Sequence, residues 1–370
     1  MNLPKPSREA IEHSLELIAY TRDLITAQQG FLPFDQFMDA MLYAPGLGYY
    51  TAGCAKFGEA GDFVTAPTLS PVFAWCLAQS FIPTLQQLSQ PILFELGAGT
   101  GQLAADVLTA LAEQDALPDQ YWILEISPDL QARQKATLQH QCPQLLDRVT
   151  WLDALPEQSF NGIIFGNEVL DALPVHLIEK QQDGWHECGV MWQEDHFAWA
   201  SRPASQAVLD VIHHNVPAAQ TLPVGYLTEI NTQLTPWHQS VVASLKKGKV
   251  VWIDYGFEAQ DYYHPMRAQG TLHCHYRHHV HDDPLIYPGL QDITAQVDFA
   301  AVLDAAEASG CTFENFQTQH AFLLQHGFVE HLETLCQQYP KDQLSLTQRA
   351  KQLILPEAMG ERFKVLTLVC

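Results

Sequence analysis

Residues 91–101 read PILFELGAGTG, and this stretch decides the fold that we expect. The short apolar run from Ile92 to Leu96 predicts a buried parallel strand. After Gly101, apolar residues recur at helical spacing, which predicts that a helix begins there. The alternating glycines between the two elements would leave backbone N–H groups open to a small ligand at a helix N-terminus. A glycine-rich turn that binds no ligand is the alternative interpretation.

The spacing of the glycines separates two classes of ligand. The dinucleotide fingerprint G-x-G-x-x-G would require a glycine at position 102, where this chain has Gln102. The order found from Glu95 to Gly101 is E-x-G-x-G-x-G, which resembles the nucleotide loop of class I S-adenosylmethionine (SAM) methyltransferases. A nicotinamide-dependent oxidoreductase is therefore the less favoured interpretation.

Acidic residues follow the next two predicted strands. Residues 121–127 read YWILEIS, and Glu125 stands near the end of this run. In a doubly wound sheet, a carboxylate at the tip of the strand beside the glycine loop can accept hydrogen bonds from both ribose hydroxyls. Asp153 follows a third, short strand and could accept a hydrogen bond from an adenine amino group. The alternative for either residue is a solvated strand end.

The fourth predicted strand runs into a polar loop. Residues 160–174 read FNGIIFGNEVLDALP, so Asn167, Glu168 and Asp171 come soon after a buried apolar run. Ligands of open α/β sheets bind outside the carboxyl ends of the strands. We therefore expect these three side chains to face a reaction site rather than to form a solvated loop.

The composition limits the classes of partner. The chain has 370 residues, of which 47% are hydrophobic, and a formal net charge of −23. Such a charge repels nucleic acid and anionic lipid and attracts basic proteins, although it equally serves solubility. No long apolar run predicts a membrane span, and the first residues show no secretory or mitochondrial targeting pattern. Eight scattered cysteines favour reduced thiols in a cytoplasmic protein.

Three regions are predicted along the chain. Residues 1–89 are expected to form a helical N-terminal cap, and residues 90–174 with 226–370 the core that contains the glycine loop. Residues 175–225 are expected to form an insertion: from Val175 to about Pro203 apolar and polar positions alternate, which predicts an antiparallel β meander that shapes a substrate or partner surface. Its turns are expected at Asp183-Gly184 and Glu194-Asp195.

A histidine-rich segment lies near the end of the predicted core. Residues 257–292 are expected to be irregular, and most of the histidines of this segment lie within residues 273–281. Imidazoles and carboxylates can bind metals, but the spacing matches no fixed metal motif. We therefore predict no metal site and interpret the segment as a lid or a loop that faces the substrate.

Several blocks together resemble the MidA-like SAM-dependent methyltransferases, a family that includes the mitochondrial complex I assembly factor that methylates an arginine. The most specific blocks are G-D-F-x-T-A-P at residues 61–67 and G-N-E-x-L-D-A-x-P at residues 166–174. The resemblance covers nearly the whole chain. Its other blocks are residues 37–50, 95–101, 254–256, 270–272, 292–299 and 359–364.

The resemblance implies an α/β fold with the Rossmann-like, seven-stranded sheet of class I methyltransferases, a helical N-terminal extension and an inserted antiparallel β meander. It also implies SAM as the methyl donor. Glu95 and the glycines would hold its methionine end, Glu125 its ribose and Asp153 its adenine. The residues expected to bind SAM are Glu95, Gly97, Gly99, Thr100, Gly101, Glu125, Asp153, Gly61 and Asp62.

The family's mitochondrial members imply an arginine of a protein substrate as the acceptor. A guanidinium is nearly always protonated, so Glu168 and Asp171, with Asn167 beside them, would orient it and take up its proton late. The loop with paired glutamates of the dedicated arginine methyltransferases is not found in this sequence. The alternatives are a SAM-binding assembly or scaffold factor with little turnover and a small-molecule methyltransferase. A homodimer is compatible with the sequence.

Overall fold

The computed structural model describes residues 3–52 and 66–370. None of the helices in this part of the chain is both long and apolar enough to cross a membrane. The helices are α1 Arg8–Ala27, α2 Phe34–Tyr43, α3 Ala66–Leu69, α4 Pro71–Leu85, α5 Gln102–Glu113, α6 Pro128–Gln141, α7 Gln206–Asn215, α8 Leu234–Val242, α9 Ala259–Tyr262, α10 Phe299–Ala308, α11 Gln319–Gln325, α12 Phe328–Gln338 and α13 Gln343–Ile354. The strands are β1 Leu32–Pro33, β2 Ile92–Leu96, β3 Gln120–Leu124, β4 Val149–Leu152, β5 Phe160–Asn167, β6 His176–Gln181, β7 Gly184–Gln193, β8 His196–Pro203, β9 Leu227–Ile230, β10 Leu245–Phe257, β11 His273–Tyr276, β12 His279–His281, β13 Asp292–Thr294, β14 Val297–Asp298, β15 Thr312–Thr318 and β16 Phe363–Val369.

The chain divides into two compact units. The first comprises the described residues of Met1–Phe63 together with Asp171–Leu234 and Phe257–Val302. The second comprises the described residues of Val64–Leu170 together with Thr235–Gly256 and Leu303–Cys370. The first unit thus contains α1 and α2 of the predicted cap together with the predicted meander, whereas α3 and α4 of the predicted cap lie in the second unit. The division into cap, core and insertion stays a prediction.

The second unit is built around the sheet that includes the glycine loop's strand. Seven strands of this eight-stranded sheet are hydrogen-bonded in the order β15-β16-β10-β5-β2-β3-β4, and β14 is the eighth. The strands β4, β3, β2, β5 and β10 are parallel, whereas β16 is antiparallel to both β10 and β15. Leu93, Ile123 and Phe165 of the parallel strands are buried in one apolar core, as strands covered on both faces require. The predicted α/β class is confirmed, and the parallel strands bring their carboxyl ends to one edge.

The first unit contains the meander. The order of its larger sheet is β1-β7-β6-β9, with β8 paired to β7. The strands β6, β7 and β8 are antiparallel neighbours, as the alternating pattern predicts. The second turn occurs at Glu194 and Asp195, as expected, with positive φ angles of 48° and 64°. The first turn lies one position earlier than predicted, at Gln182 and Asp183, because Gln181 pairs with Gly184.

The prediction that residues 257–292 are irregular is wrong in part. This segment contains α9 and the strands β11 and β12, and β11 lies between β12 and β13 in a three-stranded antiparallel sheet. The turn between β11 and β12 uses Arg277 and His278, whose φ angles are 47° and 63°. Because side chains with a Cβ rarely adopt such angles, a hairpin signal normally requires Gly or Asn here, and the sequence offers neither.

The prediction of reduced thiols is wrong for one pair of cysteines. Cys311 and Cys370 form a disulfide with a Cα–Cα distance of 4.3 Å. They lie directly outside β15 and β16, where Thr312 pairs with Val369, so the antiparallel register brings the thiols together. A separation of 59 positions in the sequence gives no local sign of this pairing.

Candidate functional site

The glycine loop connects the end of β2 with the first turn of α5. Gly97, Gly99 and Gly101 have positive φ angles of 67°, 51° and 82°, which residues with a Cβ adopt only at a cost. Gly97, Gly99 and Thr100 are exposed, and a Cβ added to Gly99 would meet no atom within 4 Å. The N–H groups of Gly97 and Gly101 already donate hydrogen bonds to the carbonyl oxygens of Leu124 and Ala98, at 3.2 and 2.8 Å. The exposed backbone of Gly99 and Thr100 is therefore the part of the loop that is open to a ligand at the N-terminus of α5.

Glu95 lies in β2, two positions before the loop, and is only 1% exposed. The Tyr121 hydroxyl group donates a hydrogen bond of 2.6 Å to its Oε2 atom. Burial raises the pKa of Glu95 to about 8, outweighing the opposing effect of this hydrogen bond. A cationic ligand beside Glu95 would shift it toward the charged form.

Glu125 directly follows β3, as predicted, and is buried. Its Oε1 atom accepts a hydrogen bond of 2.9 Å from the backbone N–H of Ser127, whose side chain caps α6. Burial raises the pKa of Glu125, while the hydrogen bonds from Ser127 and Gln134 partly oppose the shift. Each carboxylate oxygen has a further lone pair, so Glu125 can still accept a hydrogen bond from a ligand.

Asp153 lies next to Glu125 at the same edge of the sheet. The backbone N–H of Glu125 donates a hydrogen bond of 3.0 Å to the carbonyl oxygen of Leu152, the residue before Asp153. Asp153 itself is exposed. The structure thus brings the two predicted nucleotide-binding acids to adjacent strand ends.

Gln134, which was not predicted as a site residue, connects the glycine loop with Glu125. Its side chain is fully buried, and its Nε2 atom donates hydrogen bonds of 3.0 Å to Gly99 O and 2.9 Å to Glu125 Oε2. Its Oε1 atom accepts a hydrogen bond of 3.0 Å from Trp151 Nε1. A Cβ on Gly101 would lie 2.8 Å from Gln134 Cα, so this glycine is required for the close approach. Because α6 contains several glutamines, no sequence signal distinguishes this one.

Asn167 and Glu168 stand at the carboxyl end of β5. The Asn167 Nδ2 atom donates a hydrogen bond of 3.1 Å to Glu168 Oε1. Glu168 is half-buried and has a positive φ angle of 55°. The next residue, Val169, packs on the glycine loop, because a Cβ added to Gly97 would lie 3.3 Å from its Cγ2 atom. Asn167 and Glu168, which are predicted to face the methyl acceptor, thus lie beside the glycine loop within the second unit.

The remaining predicted site residues lie in the first unit or outside the described residues. The division of the chain falls directly before Asp171, which is buried in the first unit, where its carbonyl oxygen accepts a hydrogen bond from Ala295. In that unit the pKa of Tyr50 is raised well above its usual value, first by burial and then by Asp292, Tyr43 and Asp171. Gly61 and Asp62 lie outside the described residues.

One group of side chains in the described part of the chain has the geometry to hold a metal ion, namely Asp35, His176 and Glu187. The Nδ1 atom of His176 lies 2.9 Å from Glu187 Oε1 and 3.4 Å from Asp35 Oδ1. Arg202 also donates a hydrogen bond of 2.9 Å to Glu187 Oε2. Burial raises the pKa of Glu187, but the hydrogen bonds from His176 and Arg202 outweigh it and lower the pKa. Because an ion-pair network already explains this cluster, we assign no metal to it.

Residues 76–317 match the model of a family of S-adenosyl-L-methionine-dependent methyltransferases. The chain belongs to this family. The methyltransferase is similar over its whole length to a protein from Burkholderia thailandensis, whose crystal structure contains S-adenosyl-homocysteine. The two chains are 42% identical with a TM-score of 0.93, and the match covers 100% of this chain and 95% of that one. The resemblance to MidA-like methyltransferases is thereby confirmed.

Two curated relatives of the methyltransferase are named for their substrate. The Drosophila melanogaster protein named "Protein arginine methyltransferase NDUFAF7 homolog, mitochondrial" is 27% identical over 372 residues, which cover 92% of this chain and 82% of that protein. The Homo sapiens protein "Protein arginine methyltransferase NDUFAF7, mitochondrial" is 26% identical over 361 residues, which cover 90% of this chain and 79% of that protein.

The site of the methyltransferase fits SAM. The backbone of Gly97 and Gly99 is exposed, a Cβ on Gly99 would meet no atom within 4 Å, and the N-terminus of α5 adds a positive potential. Buried Glu95 supplies a negative charge for a cationic ligand once it is ionised. The oxygens of Glu125 have lone pairs left that can accept hydrogen bonds from hydroxyl groups. The predicted cofactor is confirmed by the family and by the S-adenosyl-homocysteine in the similar structure.

Proposed function

We propose that this methyltransferase transfers the methyl group of SAM to an arginine side chain of a protein. The observation that carries the proposal is the hydrogen-bonded pair Asn167 and Glu168, which stands beside the glycine loop at the carboxyl end of β5. A carboxylate at this place suits a cationic acceptor such as a guanidinium. The names of the distant relatives support arginine as the acceptor.

Each predicted SAM contact has a proposed role. Gly97, Gly99, Thr100 and Gly101 would hold the methionine portion with their backbone, and Glu95 would face its positive charge. Glu125 would accept hydrogen bonds from the ribose hydroxyls, and Asp153 one from the adenine amino group. Gly61 and Asp62 are proposed as further contacts. The residues of this set that lie in the second unit are Glu95, Gly97, Gly99, Thr100, Gly101, Glu125 and Asp153.

Asn167, Glu168 and Asp171 would orient the methyl acceptor and take up its proton. SAM supplies a methyl group already activated by its sulfonium, so the protein mainly aligns and desolvates the nucleophile. Glu168 and Asp171 would orient the guanidinium by charge-assisted hydrogen bonds, with Asn167 fixing the Glu168 carboxylate. When a guanidinium nitrogen gains the methyl group, S-adenosyl-homocysteine leaves, and the proton lost from that nitrogen passes to Glu168.

We further propose that the strand order β15-β16-β10-β5-β2-β3-β4 is the seven-stranded, Rossmann-like sheet of class I methyltransferases. Residues 1–89 would form its cap and residues 175–225 an inserted surface for the substrate. The net charge of −23 favours a basic protein substrate. A cytoplasmic location and a homodimer complete the proposal.

The experiment that tests this function is transfer of tritiated methyl groups from SAM into a lysate of a strain that lacks the protein. Labelled proteins are hydrolysed and the labelled amino acid is identified by mass spectrometry. We expect label on methylated arginine with the wild-type protein and none with Gly99→Val, because valine strongly disfavours the φ of 51° at this position. Label on another amino acid or on small molecules would contradict arginine as the acceptor. Full complementation of the strain by Gly99→Val would instead support a scaffold role.

A further inference from the structure

We propose that Asp254 is a positioning residue for methyl transfer, which holds residues 167–170 in the conformation that presents Glu168 to the acceptor. This inference rests on the proposed function of Glu168. Asp254 lies in β10 and is fully buried. Residues 254–256 are one of the sequence blocks that resemble the MidA-like family. The proposal gives a role to Asp254, the first residue of this block.

The carboxylate of Asp254 gathers three backbone N–H groups. Its Oδ2 atom accepts hydrogen bonds of 2.9 Å from Leu170 and 3.2 Å from Val169. Its Oδ1 atom accepts a hydrogen bond of 2.9 Å from Tyr255. Directly before these residues, the N–H of Glu168 donates to the carbonyl oxygen of Ile253 at 2.9 Å. The end of β10 thus binds the backbone of three consecutive residues of the turn.

The turn needs such support because of the conformation of Glu168. Its φ angle of 55° lies in the left-handed region, which side chains with a Cβ rarely adopt. A non-glycine residue stays there only where its surroundings hold it. A glycine at this position would relieve the strain but would remove the carboxylate. The strained backbone of Glu168 therefore depends on the hydrogen bonds that the Asp254 carboxylate accepts from the residues after it.

The same turn determines the spacing between Glu168 and the glycine loop. The Cγ2 atom of Val169 would lie 3.3 Å from a Cβ on Gly97 and 3.1 Å from a Cβ on Gly166. Both glycines allow Val169 to pack closely against the loop and against β5. Because Asp254 accepts a hydrogen bond from the N–H of Val169, it fixes this contact. It thereby also fixes the distance between Glu168 and the glycine loop.

The substitution Asp254→Asn tests the proposal with almost no change in shape. Asparagine has one acceptor oxygen and one NH2 group, so at least one of the backbone N–H groups would face a donor. The matched control is Asp106→Asn. Asp106 is a partly buried acid of α5 in the same unit, and it accepts a hydrogen bond from the Gln102 side chain rather than from backbone.

Amide exchange, steady-state kinetics and cofactor binding of the full-length variants are compared with those of the wild type. For Asp254→Asn we expect amide hydrogen exchange to be at least about tenfold faster at one or more of Val169, Leu170 and Tyr255, namely at those whose N–H faces the new NH2 group. We expect kcat to fall at least about tenfold, while the Kd of S-adenosyl-homocysteine and the KM of SAM stay within about twofold. Asp106→Asn should change none of these. Unchanged exchange and kcat in Asp254→Asn, or an equal loss of cofactor affinity, would overturn the proposal.

A second comparison separates positioning from a general loss of stability. In a Glu168→Gly background the backbone strain is relieved, because glycine adopts positive φ angles freely. The loss in Tm caused by Asp254→Asn should then be smaller by at least about half than in the wild-type background. An equal loss in both backgrounds would show that Asp254 serves stability alone. Exchange and Tm do not depend on the acceptor, so failure of the proposed arginine acceptor is distinguishable from failure of this inference.

Discussion

The hydroxyl group of Tyr121 donates a hydrogen bond of 2.6 Å to Oε2 of Glu95. Burial, followed by the neighbouring carboxylate, raises the pKa of Tyr121 well above its usual value, so the phenol keeps its proton. Glu95 is therefore the member of the pair that titrates, and its pKa of about 8 results mainly from burial. The negative charge of Glu95 beside the glycine loop therefore depends on the pH of the solution.

Binding of SAM should release a proton from Glu95. Below its pKa of about 8 the free carboxyl group is protonated, and the positive charge of SAM favours its ionised form. Calorimetric titrations at pH 7 in two buffers of different ionisation enthalpy measure the number of protons released.

The control for this prediction is Glu95→Gln, which cannot titrate. The amino group of SAM has an ordinary pKa of about 8, so only the difference between the two proteins reports on Glu95. We expect the wild type to release more protons than the variant, and its advantage in SAM affinity to grow as the pH rises from about 6 to about 8. Equal proton release by both proteins would contradict the assigned role of Glu95.

Gly101→Ala should abolish cofactor binding. The φ angle at this position is 82°, and the added Cβ would lie 2.8 Å from the Cα atom of Gln134, which cannot move away without shifting α6. Gly30→Ala is the matched control, because its φ is 93° but its Cβ would meet no atom within 4 Å. We expect a cost of about 1 kcal/mol in unfolding free energy for Gly30→Ala, with unchanged cofactor affinity. Gly101→Ala should cost clearly more and lose binding of S-adenosyl-homocysteine. Equal effects of the two variants would contradict the close approach.

Gln134→Ala should weaken both stability and cofactor binding. The variant leaves the N–H of Trp151 without its acceptor and removes the donor shared by Gly99 and Glu125. Loss of such buried hydrogen bonds costs about 1–3 kcal/mol in unfolding free energy. Chemical denaturation and calorimetry measure the two effects. Gln139→Ala, at an exposed position of the same helix, should be neutral in both measurements. Unchanged cofactor affinity in Gln134→Ala would show that Gln134 does not support the site.

The parts of the fold that follow from local sequence were predicted well. The order of strand, glycine loop and helix around Gly97 depends on neighbouring residues, and so does the turn at Glu194 and Asp195. Glu125 could be placed because the carboxyl ends of parallel strands share one edge. Each of these predictions needs only periodicity, turn residues and the direction of the chain.

Contacts between residues far apart in the sequence could not be predicted. Gln134 bonds the glycine loop across 35 positions, and nothing in α6 marks it. The disulfide of Cys311 and Cys370 depends on strand register rather than on spacing. The strained backbone of Glu168 was also invisible, because Asp254, which holds the turn, lies 84 and 85 positions from the N–H groups that it accepts.

The measurement that tests the account most directly is the effect of Glu168→Gln on methyl transfer and on cofactor binding. Glutamine keeps the shape of the side chain but loses the negative charge that orients a guanidinium and takes up its proton. We predict that single-turnover transfer to the identified acceptor falls at least about 100-fold, while the Kd of S-adenosyl-homocysteine stays within about twofold. Transfer at the wild-type rate by Glu168→Gln would contradict the account.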